Sequence, residues 1–216
     1  MLSFDIKFID YFVSNKIALS SEYEKEFDLS HIPPLNKRRL SKLSRSMFSS
    51  LPSLAPLLKD DCVIVFGSYT GEMNRCCKLL KEIANDEIIS PVSFSLSVLN
   101  AAPALMAIEL KNHNEITAIS SNIAFEVAVI SAFCKMKSQA LIIIYDELLG
   151  GDAEPDDYAF LSLLIERGDE VKLEFLPQSN QNIAKNTYLD FIKSLRNEIK
   201  FYEILDQNIK YKWSFR

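Results

Sequence analysis

Residues 90–134 read SPVSFSLSVLNAAPALMAIELKNHNEITAISSNIAFEVAVISAFC, and their order of elements decides the fold class. A turn at Ser97-Val98-Leu99-Asn100 opens a helix, which leads through Asn112 to a short strand over Glu115–Ile119. The junction Ser120-Ser121-Asn122-Ile123 then passes into a helix over Asn122–Lys135. The strand that follows, Ala140-Leu141-Ile142-Ile143-Ile144-Tyr145, is apolar at every position. A strand with two apolar faces is covered on both sides, which is the habit of a central strand in an α/β sheet.

The same logic extends towards the N-terminus. Leu2 to Phe12 alternates enough to form a strand, and Ser14 to Phe27 is polar loop or short helix. Pro33-Pro34 interrupts regular structure, after which Leu35, Leu40, Leu43 and Met47 recur near helical spacing. The opposite face of that helix carries Lys37, Arg38, Arg39, Lys42 and Arg45, either a solvated face or a docking surface for a phosphate or an acidic protein. Cys62 to Phe66 is a buried strand ending at Gly67, and the turn Gly67-Ser68-Tyr69-Thr70-Gly71-Glu72 leads into a helix reaching about Asn85, with Thr70 as N-cap. A glycine-bearing strand-to-helix turn can cradle phosphate, but without a following Lys-Ser/Thr it is a weak nucleotide signal.

Towards the C-terminus, the loop Asp146–Asp157 is acidic and contains Gly150-Gly151. Asp146, Glu147, Asp152 and Glu154 could hold a metal, yet the loop lacks histidine and regular calcium spacing, so a solvated connection is the better reading and no metal is assigned. Tyr158–Glu166 and Glu170–Leu176, joined by Arg167-Gly168-Asp169, read as a hairpin. Beyond Pro177 the composition changes, dividing the chain into an α/β domain over residues 1–177 and a C-terminal part over residues 178–216. There Thr187–Ile199 suits an amphipathic helix, and the tail with Phe201, Tyr202, Tyr211, Trp213 and Phe215 is too aromatic to stay in water, so it docks on the domain or on a partner.

Composition narrows the function. The chain has 216 residues, a net charge of −5, 48% hydrophobic and 25% charged residues, enough for one sizeable core and without a broad basic footprint for nucleic acid. No run approaches the roughly 20 apolar residues of a membrane span, and Met1–Phe12 lacks the pattern of a signal peptide, so the expected address is the cytoplasm. Cys62, Cys76, Cys77 and Cys134 show no C-x-x-C spacing and read as reduced, partly buried thiols.

Five motifs occur in a characteristic order: PPLNKRRLSKLSR (Pro33 to Arg45), GSYTGE (Gly67 to Glu72), SPVSFSLSVLNA (Ser90 to Ala101), AFE (Ala124 to Glu126) and YDE (Tyr145 to Glu147). On these the chain resembles short β-ketoacyl synthase N-terminal-like proteins, including chain-length-factor-like members, from aryl polyene and related polyketide or fatty-acid clusters. The resemblance covers roughly Pro33 to Ile165. It implies a thiolase-like α/β fold present as a single N-terminal half, a mixed sheet covered by helices.

The same resemblance implies an absent reaction. In such synthases the reactive cysteine stands where the strand meets the helix, but this chain has Ser120-Ser121-Asn122-Ile123 there. The two histidines that a second half supplies have no counterpart either: His31 and His113 lie in no such motif and read as exposed loop residues, and the chain ends before a second half fits. Condensation needs a thiolate to hold the acyl chain and preorganised donors for the enolate oxygen. Cys134 lies about three turns along the helix, roughly 18 Å away, and cannot substitute. No catalytic residue and no cofactor are implied.

Three readings stand. The first is a non-catalytic, chain-length-factor-like subunit pairing with a full-length synthase that works on acyl carrier protein. The resemblance then puts Ser120, Ser121, Asn122, Ile123 and Phe125 at the tunnel or interface, and Lys37, Arg38, Arg39, Lys42 and Arg45 at the carrier, with Phe94–Ile130 building the interface. The second is a small enzyme acting on acyl thioesters through Ser120 or Ser121, which would need an adjacent base. The third is a homodimeric carrier-docking scaffold, and a homodimer is also open to the isolated first form.

Overall fold

The computed structural model describes residues 1–14, 27–148, 157–179 and 181–216. Most of the segment expected as loop or short helix before Asp28, together with Gly150, Gly151, Asp152 and Glu154, lies outside the described residues. The strands are β1 (Leu2–Val13), β2 (Val63–Ser68), β3 (Ile116–Ser120), β4 (Gln139–Glu147), β5 (Tyr158–Arg167), β6 (Val171–Pro177), β7 (Phe201–Asp206) and β8 (Ile209–Phe215). The helices are α1 (Pro34–Lys37), α2 (Lys42–Phe48), α3 (Leu51–Leu54), α4 (Met73–Ala84), α5 (Pro91–Ser95), α6 (Ala101–Glu109), α7 (Ala124–Lys135) and α8 (Tyr188–Arg196).

All eight strands join one mixed sheet in the order β3-β2-β4-β5-β1-β6-β8-β7. β2 pairs in parallel with β3 and β4, and the pairings from β4 to β7 are antiparallel. Every residue of β2 and β4 is buried, as their unbroken apolar runs predict. Two cores follow, one per face. Ile64, Phe66, Leu141, Ile143 and Tyr145 pack with residues of α2, α3 and α6, while Val65, Ile142, Ile144, Leu161 and Leu163 pack with α7 and α8.

Four local expectations are corrected. The helix expected over Leu35–Met47 is two pieces: α1 ends near Lys37, Ser41 restarts the chain by accepting a hydrogen bond from the Ser44 N–H, and Leu35 is exposed. Thr70 does not cap α4, because Glu72 holds that position without a side-chain bond and the Thr70 hydroxyl is held by Asp146 and the Glu147 carbonyl. The amphipathic helix is shorter than Thr187–Ile199, and Ile199 is exposed after Glu198 adopts a left-handed φ of 51°.

The fourth correction concerns topology. β5 and β6 do not form a hairpin, since β1 lies between them and pairs antiparallel with both, Phe4 facing Arg167 on one side and Val171 on the other. Residues 168–170 therefore pass over β1 rather than turning back. Asp5 accepts hydrogen bonds from the backbone N–H groups of Asp169 (2.9 Å) and Glu170 (3.3 Å), and Ile6 N–H donates to the Glu170 carboxylate at 2.9 Å. Gly168 leaves room for the Asp5 carboxylate at this crossing, since a Cβ there would lie 1.8 Å from Asp5 Oδ1 and would displace that side chain. A turn dipeptide looks the same in sequence whether the chain reverses or crosses a third strand.

The aromatic tail is a hairpin, β7–β8, annexed to the sheet beside β6. Trp213 is fully buried, stacked on Phe125 (centroids 5.1 Å apart, 8° between planes) and on Tyr202 (6.2 Å, 13°), with Phe191 edge-on at 5.2 Å. α8 and this hairpin together clothe α7.

Candidate functional site

The junction between β3 and α7 lies at the carboxyl ends of the parallel strands, where open α/β sheets place their chemistry. Ser120 ends β3 and is exposed, and Ser121 and Asn122 are half-buried. The Ser121 N–H donates to the Ser68 carbonyl (3.1 Å), and the Ser121 hydroxyl accepts from the Ile123 N–H (3.3 Å). Asn122 points back into the molecule: its Nδ2 donates to the Ala184 carbonyl and to Asp206 Oδ1, each at 2.9 Å, and Asp206 Oδ1 also accepts from the Ala184 N–H. The C-terminal segment is thus clipped to the β3–α7 loop.

Ile123 and Phe125 are buried, Phe125 completely, under α8 and β8. Phe125 packs in the aromatic core of its own chain. The five basic residues lie on α1, α2 and the link between them: Arg38, Arg39, Lys42 and Arg45 are exposed and Lys37 is half-buried. Arg45 donates to the Lys37 carbonyl, and the Arg39 carbonyl accepts from Arg75, which also pairs with buried Glu72. Glu72 in turn accepts hydrogen bonds from Ser41 (2.7 Å) and Ser44 (2.9 Å), so the start of α2 is tied to the turn after β2.

That turn is filled by the protein itself. Asp146 Oδ1 accepts from the Ser68 hydroxyl (2.7 Å), the Tyr69 and Thr70 N–H groups (2.7 and 2.8 Å) and the Thr70 hydroxyl (3.1 Å). Burial pushes the Asp146 carboxyl up from its ordinary value while these donors pull it down. The N–H groups that could have cradled a phosphate thus hold an internal carboxylate.

Gly67 sets how closely α7 approaches the sheet. A Cβ at Gly67 would lie 2.7 Å from Ile144 Cδ1 and 3.0 Å from the Ala124 carbonyl oxygen. Gly67→Ala is expected to cost about 1–3 kcal/mol by prying the first turn of α7 off β2. Urea denaturation read by circular dichroism measures it; an unchanged midpoint would mean that the junction gives way freely.

Neither histidine adjoins the junction in sequence. His113 is exposed in the link before β3, whereas Ser120 ends that strand, about 13 Å further on by strand rise. His31 is exposed in the turn before α1. Burial pushes the Cys62 thiol up to about 12, and it also raises Cys76, so neither is an activated thiolate. Three clefts of about 340, 350 and 310 Å³ are lined by other residues, none of them from Ser120 to Phe125. Among the described residues no group of three His, Cys, Asp or Glu side chains could hold a metal. No helix among them is long and apolar enough to cross a membrane.

The segment that leads to β3 exposes a series of apolar side chains. β3 is the first strand of the sheet, and α4–α6 form the arm that connects β2 to it. Leu80 and Ile83 of α4, Ile88, Val92 and Phe94 of α5, Val98, Ile108 of α6 and Ile116 of β3 are all exposed, Ile88 at 98% and Phe94 at 61%. So many exposed apolar side chains in one segment contrast with the singly scattered ones normal on a protein surface. The signal legible in sequence was the apolar run around Leu96–Leu110, which gives no clue to which side chains face outward.

Comparison with known proteins follows from this geometry. The family model described as "Beta-ketoacyl synthase, N-terminal domain" matches residues 14–214. Among solved structures, a chain of "Ketosynthase (ApeO) in Complex with its Chain Length Factor (ApeC) from Xenorhabdus doucetiae" superposes with a TM-score of 0.79 at 19% identity, covering 99% of this chain and 100% of that one. A chain of "AntDE:AntF (apo): type II PKS acyl-carrier protein in complex with its ketosynthase bound to the hexaketide" matches at a TM-score of 0.48 and 13% identity, over 82% of this chain and 65% of that one. A search of curated proteins finds no match. The expected fold, a thiolase-like half built on a mixed sheet, is the fold observed.

Proposed function

This chain belongs to the β-ketoacyl synthase N-terminal domain family, and from that premise we propose that it is a non-catalytic, chain-length-factor-like subunit that pairs with a full-length β-ketoacyl synthase. The observation that carries the reading is the juxtaposition of an open edge strand, β3, with an arm bearing exposed Leu80, Ile83, Ile88, Val92, Phe94 and Val98. An edge strand offers unpaired N–H and C=O groups, and apolar side chains beside it give a partner both hydrogen bonds and buried area. The fold likeness to a chain from a complex of a ketosynthase with its chain length factor supports the same choice. The setting we infer is aryl polyene or related fatty-acyl and polyketide assembly, with the growing chain on acyl carrier protein.

In this reading the chain contributes shape and no chemistry. Ser120 is the open position that a partner or an acyl chain can touch, Ser121 and Asn122 border it, and Ile123 and Phe125 support the wall from beneath. The carrier approaches over Lys37, Arg38, Arg39, Lys42 and Arg45, whose charge complements an acidic protein surface. A serine enzyme is disfavoured because no histidine adjoins Ser120 or Ser121 in sequence to serve as the base. A homodimer through the same β3 edge remains the alternative state of the isolated chain.

Co-expression with each ketosynthase of the same organism, followed by co-purification and light scattering, tests the proposal. A stable one-to-one complex is expected. A species that ignores every synthase, or labelling of Ser120 or Ser121 by an active-serine probe, would overturn it.

A further inference from the structure

The contacts of Glu126 go beyond that reading and do not depend on it. Its side chain is completely buried in the first turn of α7, and it is bonded to two other elements of the C-terminal region. Oε2 accepts from the hydroxyl of Thr187, the residue that caps α8, and Oε1 accepts from Trp213 Nε1 of β8 at 3.1 Å. Among the described residues no cation pairs with it. The acidic Asp190, in the first turn of α8, is its charged neighbour, and Lys193 lies beyond Asp190 on the same helix. From β7 and β8 the titratable groups within its field are Tyr202 and Tyr211, both phenols held neutral by burial. The Tyr202 hydroxyl is itself buried, with no hydrogen-bond partner among the described residues.

A buried carboxylate with two donors and no cation is costly when ionised, because desolvation exceeds what a hydroxyl and an indole N–H return. The neutral acid suits the same site. Its O–H can donate to Thr187 Oγ1 while the other oxygen keeps the Trp213 bond, since a hydroxyl both donates and accepts. Two helix N-termini, those of α7 and α8, favour the anion in part. Glu126 therefore joins α7 to α8 and β8 through a group whose charge state alters the strength of the join.

We propose that Glu126 is a proton-operated latch: with its carboxyl neutral, α8 and the β7–β8 hairpin stay docked on α7, and loss of the proton to solvent loosens this C-terminal unit. The unit also carries Ala184 and Asp206, which hold Asn122 at the β3–α7 junction, so loosening it frees that loop. Burial pushes the carboxyl up to about 7, with the Thr187 and Trp213 bonds pulling the other way. An acid whose docked value exceeds its undocked value, ordinarily near 4.5, binds its proton more tightly when docked. Docking is thus strongest below about pH 4.5, weakens as pH rises towards 7 and levels off above it.

Trp213 is the only tryptophan in the chain and bonds Glu126 directly, so its fluorescence reports the latch. Titration of the full chain from pH 5 to pH 8.5 is expected to show a transition in Trp213 emission centred about pH 7. Hydrogen-exchange protection over residues 187–216, corrected for intrinsic exchange, is expected to fall on the order of a hundredfold between pH 5 and pH 8 while β2 and β4 stay protected. Glu126→Gln, which imitates the neutral acid, is expected to abolish both dependences. Thr187→Val keeps the acid, removes one donor and is expected to move the transition to higher pH. Protection over 187–216 that does not change with pH, protection lost equally across the whole sheet, or a Glu126→Gln protein that titrates like the parent would each overturn the latch.

Discussion

Phe94→Glu is expected to abolish capture of the partner synthase while leaving the chain folded. Phe94 is 61% exposed on α5, between exposed Val92 and Val98, so little internal packing is lost when it is replaced. An aromatic anchor at the centre of an interface typically contributes about 2–4 kcal/mol, and a carboxylate forced into that contact adds desolvation, so affinity should fall roughly 30- to 1,000-fold. Co-purification measures the loss, and a thermal melt of the isolated variant establishes that folding is intact. Ile116→Lys on β3 tests the same surface from the strand side, where the side chain is 37% exposed. Both variants binding like the parent would remove the arm and the edge strand from the interface.

Trp213→Ala is expected to be the most destabilising single change, at about 4–5 kcal/mol. Truncating a fully buried Trp costs about 3–5 kcal/mol through lost contacts and the cavity left behind, and here Phe125, Phe191 and Tyr202 all lose a ring partner. The Trp213 N–H also leaves Glu126 with one donor fewer in a site without water access, which adds about 1 kcal/mol or more. A typical domain has only about 5–15 kcal/mol in total, so this one change should remove between roughly a third and most of it. Urea denaturation followed by circular dichroism measures the change. Trp213→Phe keeps the stacking and loses the N–H, so it should cost clearly less; equal costs would locate the stabilisation in the hydrogen bond instead.

The two expectations draw on different levels of information. Trp213 could be picked out in the sequence as an aromatic residue that must leave water, yet whether it met its own domain or a partner was open. The structure resolves this through register: β8 pairs with β6 so that Trp213 faces Leu173 and lands beneath Phe125. Phe94 is the reverse case. Its apolar character in a helix-forming run resembles a core residue, and only the arm's position, connecting β2 to an edge strand, turns it outward. The candidate junction was legible as Ser120 to Ile123 because strand and helix patterns meet there, but its ties to Ala184 and Asp206 span 62 and 84 residues and leave no periodic trace. Phe125 likewise read as an interface residue and is enclosed by Phe191 and Trp213 of its own C-terminal region.

By itself the sequence determined the alternation of elements, because hydrophobic periodicity and turn residues act over a few positions: β2, β4 and α7 fall where apolar runs and helical spacing put them. It also placed Ser120-Ser121-Asn122-Ile123, which contains no cysteine, between the strand and helix patterns. Tertiary structure alone decided which strands are neighbours. The link Arg167-Gly168-Asp169 suits a tight reversal locally, but β1, about 160 residues earlier, intercalates between β5 and β6, where its backbone groups find partners on β5 along most of its length and on β6 over Leu2–Phe4. The same long-range accounting joined Glu126 to Thr187 and Trp213 and left β3 with an open edge, since backbone and side-chain polar groups find partners by proximity in space, which no local pattern encodes.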